Sequence, residues 1–265
     1  ECPFNAQPQL MRTRTSILTG IIAYLVFLIA TIPAAPVIGL VKKNLPATIG
    51  HVYGTLWQGY ASTLQAPNGI RLDNIHWTFL PSRLLLGKAA VNIDAELLNN
   101  AISTEVAAGI TGKLTAKDLQ LNLAAEEVAS LINLPIGELT GDFNIMINHA
   151  SWSKGTVPIV DGRIDWKDAT LTIAEMVDLG RVSVLISEED TSPLSATLNN
   201  SDGDLRLNGT VTTTATGDYD LQLSMKPLAS ASTNVANSLA MFARRQPDAS
   251  YKFTNKGNLQ QLGLF

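Results

Sequence analysis

Two patterns of apolar positions divide this chain. From Ile17 to Val41 the residues run almost continuously apolar and carry no charge; Arg12 and Arg14 lie before the run, and Lys42 and Lys43 close it. Helical from Ile17 to Ile32, the run would span about 24 Å, and continued through Pro33 and Pro36 to Val41 about 37 Å. The longer span suits a bilayer core of about 30 Å, and membrane helices tolerate such prolines. The spacing therefore predicts one N-terminal transmembrane helix over 17–41. A cleaved export signal is the competing reading, but no Ala-x-Ala site occurs and Pro36 is a poor residue after a cut. The positive residues nearly balance on the two sides. The short basic leader, 11–16, favours a cytoplasmic N-terminus with 42–265 exported.

Beyond about Gly50 the period becomes two. Leu205 and Leu207 alternate with Asp204, Arg206 and Asn208; Tyr219, Leu221, Leu223 and Met225 alternate with Asp220, Gln222 and Ser224. Ile145 and Ile147, and Val182, Val184 and Ile186, repeat the pattern, which marks strands with one buried face. Asn199-Asn200-Ser201-Asp202-Gly203 and Gly217-Asp218 supply turn residues between such runs, so antiparallel hairpins are expected. Helices are few: Ala124 to Ile132, stopped by Pro135, and Asn234 to Arg245, where Arg244 and Arg245 would suit the negative helix end and Pro247 would stop it. Outside the membrane the chain is expected to be all-β. The form expected is a strongly twisted antiparallel sheet, either a half-pipe or a sandwich, with a few short helices.

Composition narrows the partners. With 16% charged residues and a formal net charge of -4, the chain lacks the basic footprint of a nucleic-acid binder. Its single cysteine, Cys2, precedes the first methionine, Met11. Residues 1–10 are read as an extension ahead of a conventional start. The remainder then has no thiol for a disulfide, a metal or nucleophilic catalysis.

Candidate chemistry is sparse. His51, His76 and His149 stand in no metal-binding spacing, and His76, between Ile75 and Trp77, should face away from both. Glu126-Glu127 and Glu188-Glu189-Asp190 are adjacent carboxylates, which a strand points to opposite faces. Neither a Gly-x-Ser-x-Gly elbow nor a phosphate loop occurs. No catalytic residue, metal or cofactor is assigned, and the chain is read as not an enzyme.

That leaves Val52-Tyr53-Gly54-Thr55-Leu56-Trp57-Gln58-Gly59. Gly54 and Gly59 permit a bulge or tight bend. Trp57 is either the aromatic that starts the sheet or, with Leu56, an exposed contact for lipid or a partner. Ile75-His76-Trp77 and Ile164-Asp165-Trp166 echo one another a few residues after Gly69 and Gly162. This is either a duplicated strand unit or the ordinary frequency of tryptophan in half-buried strands. Trp77 and Trp166 join Leu56 and Trp57 as candidate contact residues; Gly54, Gly59, Gly162 and Gly203 are the candidate structural glycines.

The order of these blocks resembles a known family, protein N of the Gram-negative type II secretion system. The resemblance runs from Met11 through the 52–59 block, Leu72-Asp73-Asn74-Ile75-His76-Trp77 with Pro81, and Leu84-Leu85-Leu86-Gly87. It continues in Leu139-Thr140-Gly141, Gly162-Arg163-Ile164-Asp165-Trp166, Leu179-Gly180 and Gly203-Asp204-Leu205-Arg206-Leu207-Asn208-Gly209. It implies an accessory single-pass inner-membrane protein with a periplasmic β-rich domain and no catalytic residues. Other secretion subunits would be its partners, and its machine exports folded proteins across the outer membrane. The Gly-Thr-x-Trp-x-Gly strand is also similar to AsmA-like periplasmic proteins, which implies an apolar groove that binds lipid.

Overall fold

A computed structural model describes residues 9–41, 47–66, 69–132, 138–172, 175–189 and 192–259. The expectations for residues 1–8 and for Lys42 and Lys43 fall outside these residues, as do those for the side chains of 9–16. The N-terminal apolar run forms two helices rather than one, α1 (Gln9–Ala30) and α2 (Ala34–Val41). The break falls at Thr31–Pro33, because Pro33 has no N–H to continue the helix. From Ile17 onward every residue of α1 is exposed, including Phe27 and Val26. Among the described residues no helix is long and apolar enough to cross a membrane.

The rest is one open antiparallel sheet. Its strands are β1 (Thr48–Ile49), β2 (Val52–Gly54), β3 (Gln58–Gln65), β4 (Arg71–Phe79), β5 (Lys88–Leu97), β6 (Asn100–Gly109), β7 (Leu114–Ala124) and β8 (Glu138–Trp152). There follow β9 (Ile159–Thr172), β10 (Met176–Glu189), β11 (Ser192–Ser201), β12 (Leu205–Thr213), β13 (Asp218–Pro227), β14 (Arg244–Arg245) and β15 (Tyr251–Asn258). From β3 to β13 each strand pairs with its chain neighbour, then β15 inserts between β13 and β14; β1 and β2 both pair with β3. All strands belong to one hydrogen-bonded ladder whose end strands do not pair with each other, so among the described residues the sheet is single and open.

Two helices lie against this sheet, α3 (Ala125–Ile132) and α4 (Thr233–Phe242), and a 3-10 turn over Pro81–Leu86 precedes β5. Glu127 caps α3: its carboxylate accepts the Ala124 N–H at 3.0 Å, as the third residue of a capping box does. The expected helix to Arg245 ends early, at Phe242, and Arg244 and Arg245 form β14 instead. Pairing with Lys252 and Tyr251 satisfies their backbone where a further helical turn would have left the β15 edge bare.

The alternating pattern puts one apolar face on the whole sheet. Its buried residues form three clusters rather than one core. Ala61, Ile75 and Ala95 pack near the N-terminal edge; Leu97, Leu121 and Leu123 pack under α3; Leu179, Val182, Leu205, Leu207, Met225 and Tyr251 pack with Val235 and Leu239 of α4. A line of left-handed residues crosses the strands between them. Gly141 (φ 106°), Asp168 (φ 50°), Gly180 (φ 66°) and Gly203 (φ 82°) are neighbours across β8, β9, β10 and the β11–β12 turn. Register shifts accompany the first three. Bulges of this kind bend a strand and raise its twist. The Leu139-Thr140-Gly141, Leu179-Gly180 and Gly203-Asp204 blocks are thus places where backbones cross too closely for a side chain: a Cβ on Gly141 would lie 2.6 Å from the Asp168 carbonyl oxygen, and one on Gly203 would lie 2.7 Å from that of Asp178.

Candidate functional site

Thr55-Leu56-Trp57 is a hairpin turn between β2 and β3, not part of a strand as its pattern suggested. Gly54 takes φ 91°, and the Thr55 hydroxyl accepts the Trp57 and Gln58 N–H groups at 3.3 and 3.2 Å, closing the turn. The turn meets the end of α1. A helix leaves its last four carbonyls without partners inside it. Here Trp57 Nε1 donates to the Ile29 carbonyl at 2.8 Å, and Leu56 N–H donates to that of Ile32 at 3.0 Å. Pro33 and Thr55 form an isolated bridge beside them. The Trp57 ring stands edge-on to Phe79 of β4, centroids 4.9 Å apart, and the Phe79 N–H donates to the Trp57 carbonyl at 2.6 Å. The turn therefore joins the N-terminal helix to the second full strand of the sheet. Replacing Trp57 with phenylalanine keeps the ring and deletes the donor; thermal unfolding of the full chain in detergent should show a loss of about 1 kcal/mol, and an unchanged midpoint would mean the joint does not hold.

The other candidates do not gather there. Trp77 lies opposite Gly59 on the apolar face, and a side chain on Gly59 would strike its ring. His76 points to the opposite, exposed face, as expected. Trp166 is on β9, five strands from Trp77 in the sheet order. It stacks on Phe143 (4.9 Å, 12°) and donates from Nε1 to the Thr140 carbonyl at 3.0 Å. On the polar face its neighbour Asp165 accepts from Arg163 at 2.8 Å and from Ser183. Burial raises the Asp165 pKa, but the Ser183 and Arg163 hydrogen bonds and the Arg163 and Arg181 charges outweigh it and hold the carboxyl below its usual value. That arrangement is a satisfied cross-strand contact with no free nucleophile or base. Among the described residues no group of three His, Cys, Asp or Glu side chains is placed to hold a metal.

The extended feature is the apolar face itself. Reading across paired positions, Leu119, Ile147, Gly162, Ile186, Ala196, Val211 and Leu221 form one row. Ile145, Ile164, Val184 and Leu198 form part of the next. These side chains are half-buried, and among the described residues no helix packs over the first row: α3 packs on β7 and β8, and α4 on the cluster of Leu179, Val182, Leu205, Leu207, Met225 and Tyr251. Gly162 serves this row, since a Cβ there would lie 2.7 Å from Ile147 Cδ1. Period-two patterning foretold the apolar side of β8, β10, β12 and β13. The helix break and the Phe79 contact carried no sequence signal beyond Pro33.

Residues 46–254 match the family described as Type II secretion system (T2SS), protein N. Neither a curated protein nor a solved structure matches the chain.

Proposed function

Because the chain belongs to the type II secretion system protein N family, we propose that it is an accessory inner-membrane component that supports export of folded proteins across the outer membrane. In this reading 17–41 anchors the chain, 11–16 stays cytoplasmic and 42–265 acts in the periplasm through contacts with other secretion subunits. The match carries the proposal, for it runs from just before β1 into β15 and so takes in nearly the whole sheet. The exposed apolar side chains of α1 support the anchor, since so apolar a surface calls for an apolar surround. Deleting the protein should lower export of a folded substrate, and cross-linking in membranes should yield a secretion subunit; normal export together with no such contact would refute the role.

The uncovered apolar row favours a second reading, a groove for lipid or another amphiphile. An apolar sheet face in water needs a second layer, a partner or an amphiphile. Native mass spectrometry of the full chain should then find lipid that is lost in Ile186→Glu. A lipid-free wild-type protein would end this reading.

A further inference from the structure

The last long strand of the sheet leaves an edge open. β14 covers β15 only at Lys252 and Tyr251, through Arg244 and Arg245. Beyond Lys252, among the described residues, no strand adjoins β15 on that side. The register sets which backbone groups are left over. Leu259 N–H donates to the Gly217 carbonyl and Gln246 N–H to that of Ser250. Odd-numbered residues of β15 therefore bond toward β13 and even-numbered ones point outward. Thr254 and Lys256, both exposed, thus offer N–H and C=O groups along the edge. Such an edge is a template for an added strand.

Farther along this edge Lys256 pairs with Asp220 at 2.7 Å, but at the end beside β14 cations collect. On the polar face Arg206 lies directly opposite Lys226, and Lys252 directly opposite Arg244; all four are exposed. Among the described residues none of the four joins an ion pair, and Asp248 is the carboxylate whose charge meets Lys226. Like charges directly opposed across strands are destabilising. Edge lysines also discourage unwanted pairing, but Arg206 and Lys226 lie two strands and one strand inside the edge, where that protection has no use for them. The cluster instead complements an acidic neighbour, in a chain whose formal net charge is -4.

We propose that the β15 edge accepts an extended acidic segment of a partner protein, which adds as a strand along Thr254 and Lys256 with carboxylates meeting Lys252 and Arg244. The proposal rests on the secretion-component reading for the source of the partner, while strand addition itself is measured without export. The test is hydrogen exchange of the full chain in detergent with a synthetic peptide of alternating glutamate and valine, and a lysine–valine peptide as control. The glutamate peptide should slow exchange at the Thr254 and Lys256 amides about tenfold, and added salt should weaken it. Binding should disappear in Thr254→Pro, which deletes an outward N–H, and separately in the surface double variant Arg244→Glu with Lys252→Glu. Unprotected amides, wild-type binding by either variant, equal binding of the lysine peptide, or binding of phosphatidylglycerol vesicles by these cations in place of the peptide would each overturn it. A deletion strain that exports normally, with no secretion subunit cross-linked, would refute the secretion role and leave the peptide result standing.

Discussion

Valine in place of Gly180 should cost the full chain about 3–5 kcal/mol, a large part of the total stability of an ordinary domain. Gly180 sits at φ 66°, where an L-residue pays about 1–2 kcal/mol. The larger cost is steric: a Cβ there would run into the Ser201 carbonyl oxygen and lie 2.8 Å from the Asp202 carbonyl carbon. Both are backbone atoms of the β11–β12 turn, so relief requires parting β10 from that turn. Gly155 supplies the control, because it has φ 75° and open space around it. Gly155→Val should pay the conformational cost alone. Thermal denaturation of the two variants separates the effects, and equal losses would mean that close approach at the line of bulges contributes nothing.

Trp166→Ala should be the most costly change on the apolar face, about 3 kcal/mol. The side chain is half-buried, which puts the loss at the lower end for a tryptophan. It removes the stack on Phe143, worth about 0.5–1.5 kcal/mol beyond area, and deprives the Thr140 carbonyl of its side-chain donor. It also opens space beside Val182, its partner across β9 and β10. Trp166→Phe keeps most of the ring and should lose about 1 kcal/mol, mainly the hydrogen bond. Denaturation midpoints in that order support packing as the main role of Trp166. Two variants with wild-type stability would free the ring for a contact role.

The face each residue takes was legible because a strand admits two directions only. Leu205, Leu207 and Met225 are buried and Arg206, Ser224 and Lys226 exposed, as their alternation requires. The 52–59 block was less legible. Its glycines announced a bend, but Trp57 acts by reaching a helix-end carbonyl 28 residues earlier, and no local pattern encodes a contact at that separation. Arg244 and Arg245 misled for a related reason: a basic pair suits a helix end, yet here an unpaired strand nearby was the stronger demand on their backbone.

By itself the sequence determined the β class, the antiparallel pairing of successive strands, the apolar side of β8, β10, β12 and β13 and, through the order of its blocks, the family, because these depend on local spacing and turn residues. Tertiary structure alone decided that the strands form one open sheet, that the glycine blocks align into a line of bulges, that Trp57 ties α1 to β4, and that a cationic cluster adjoins an unpaired edge. Each of these depends on which strands meet and in what register, and hydrogen-bond pairing between distant segments settles that only when the whole chain has folded.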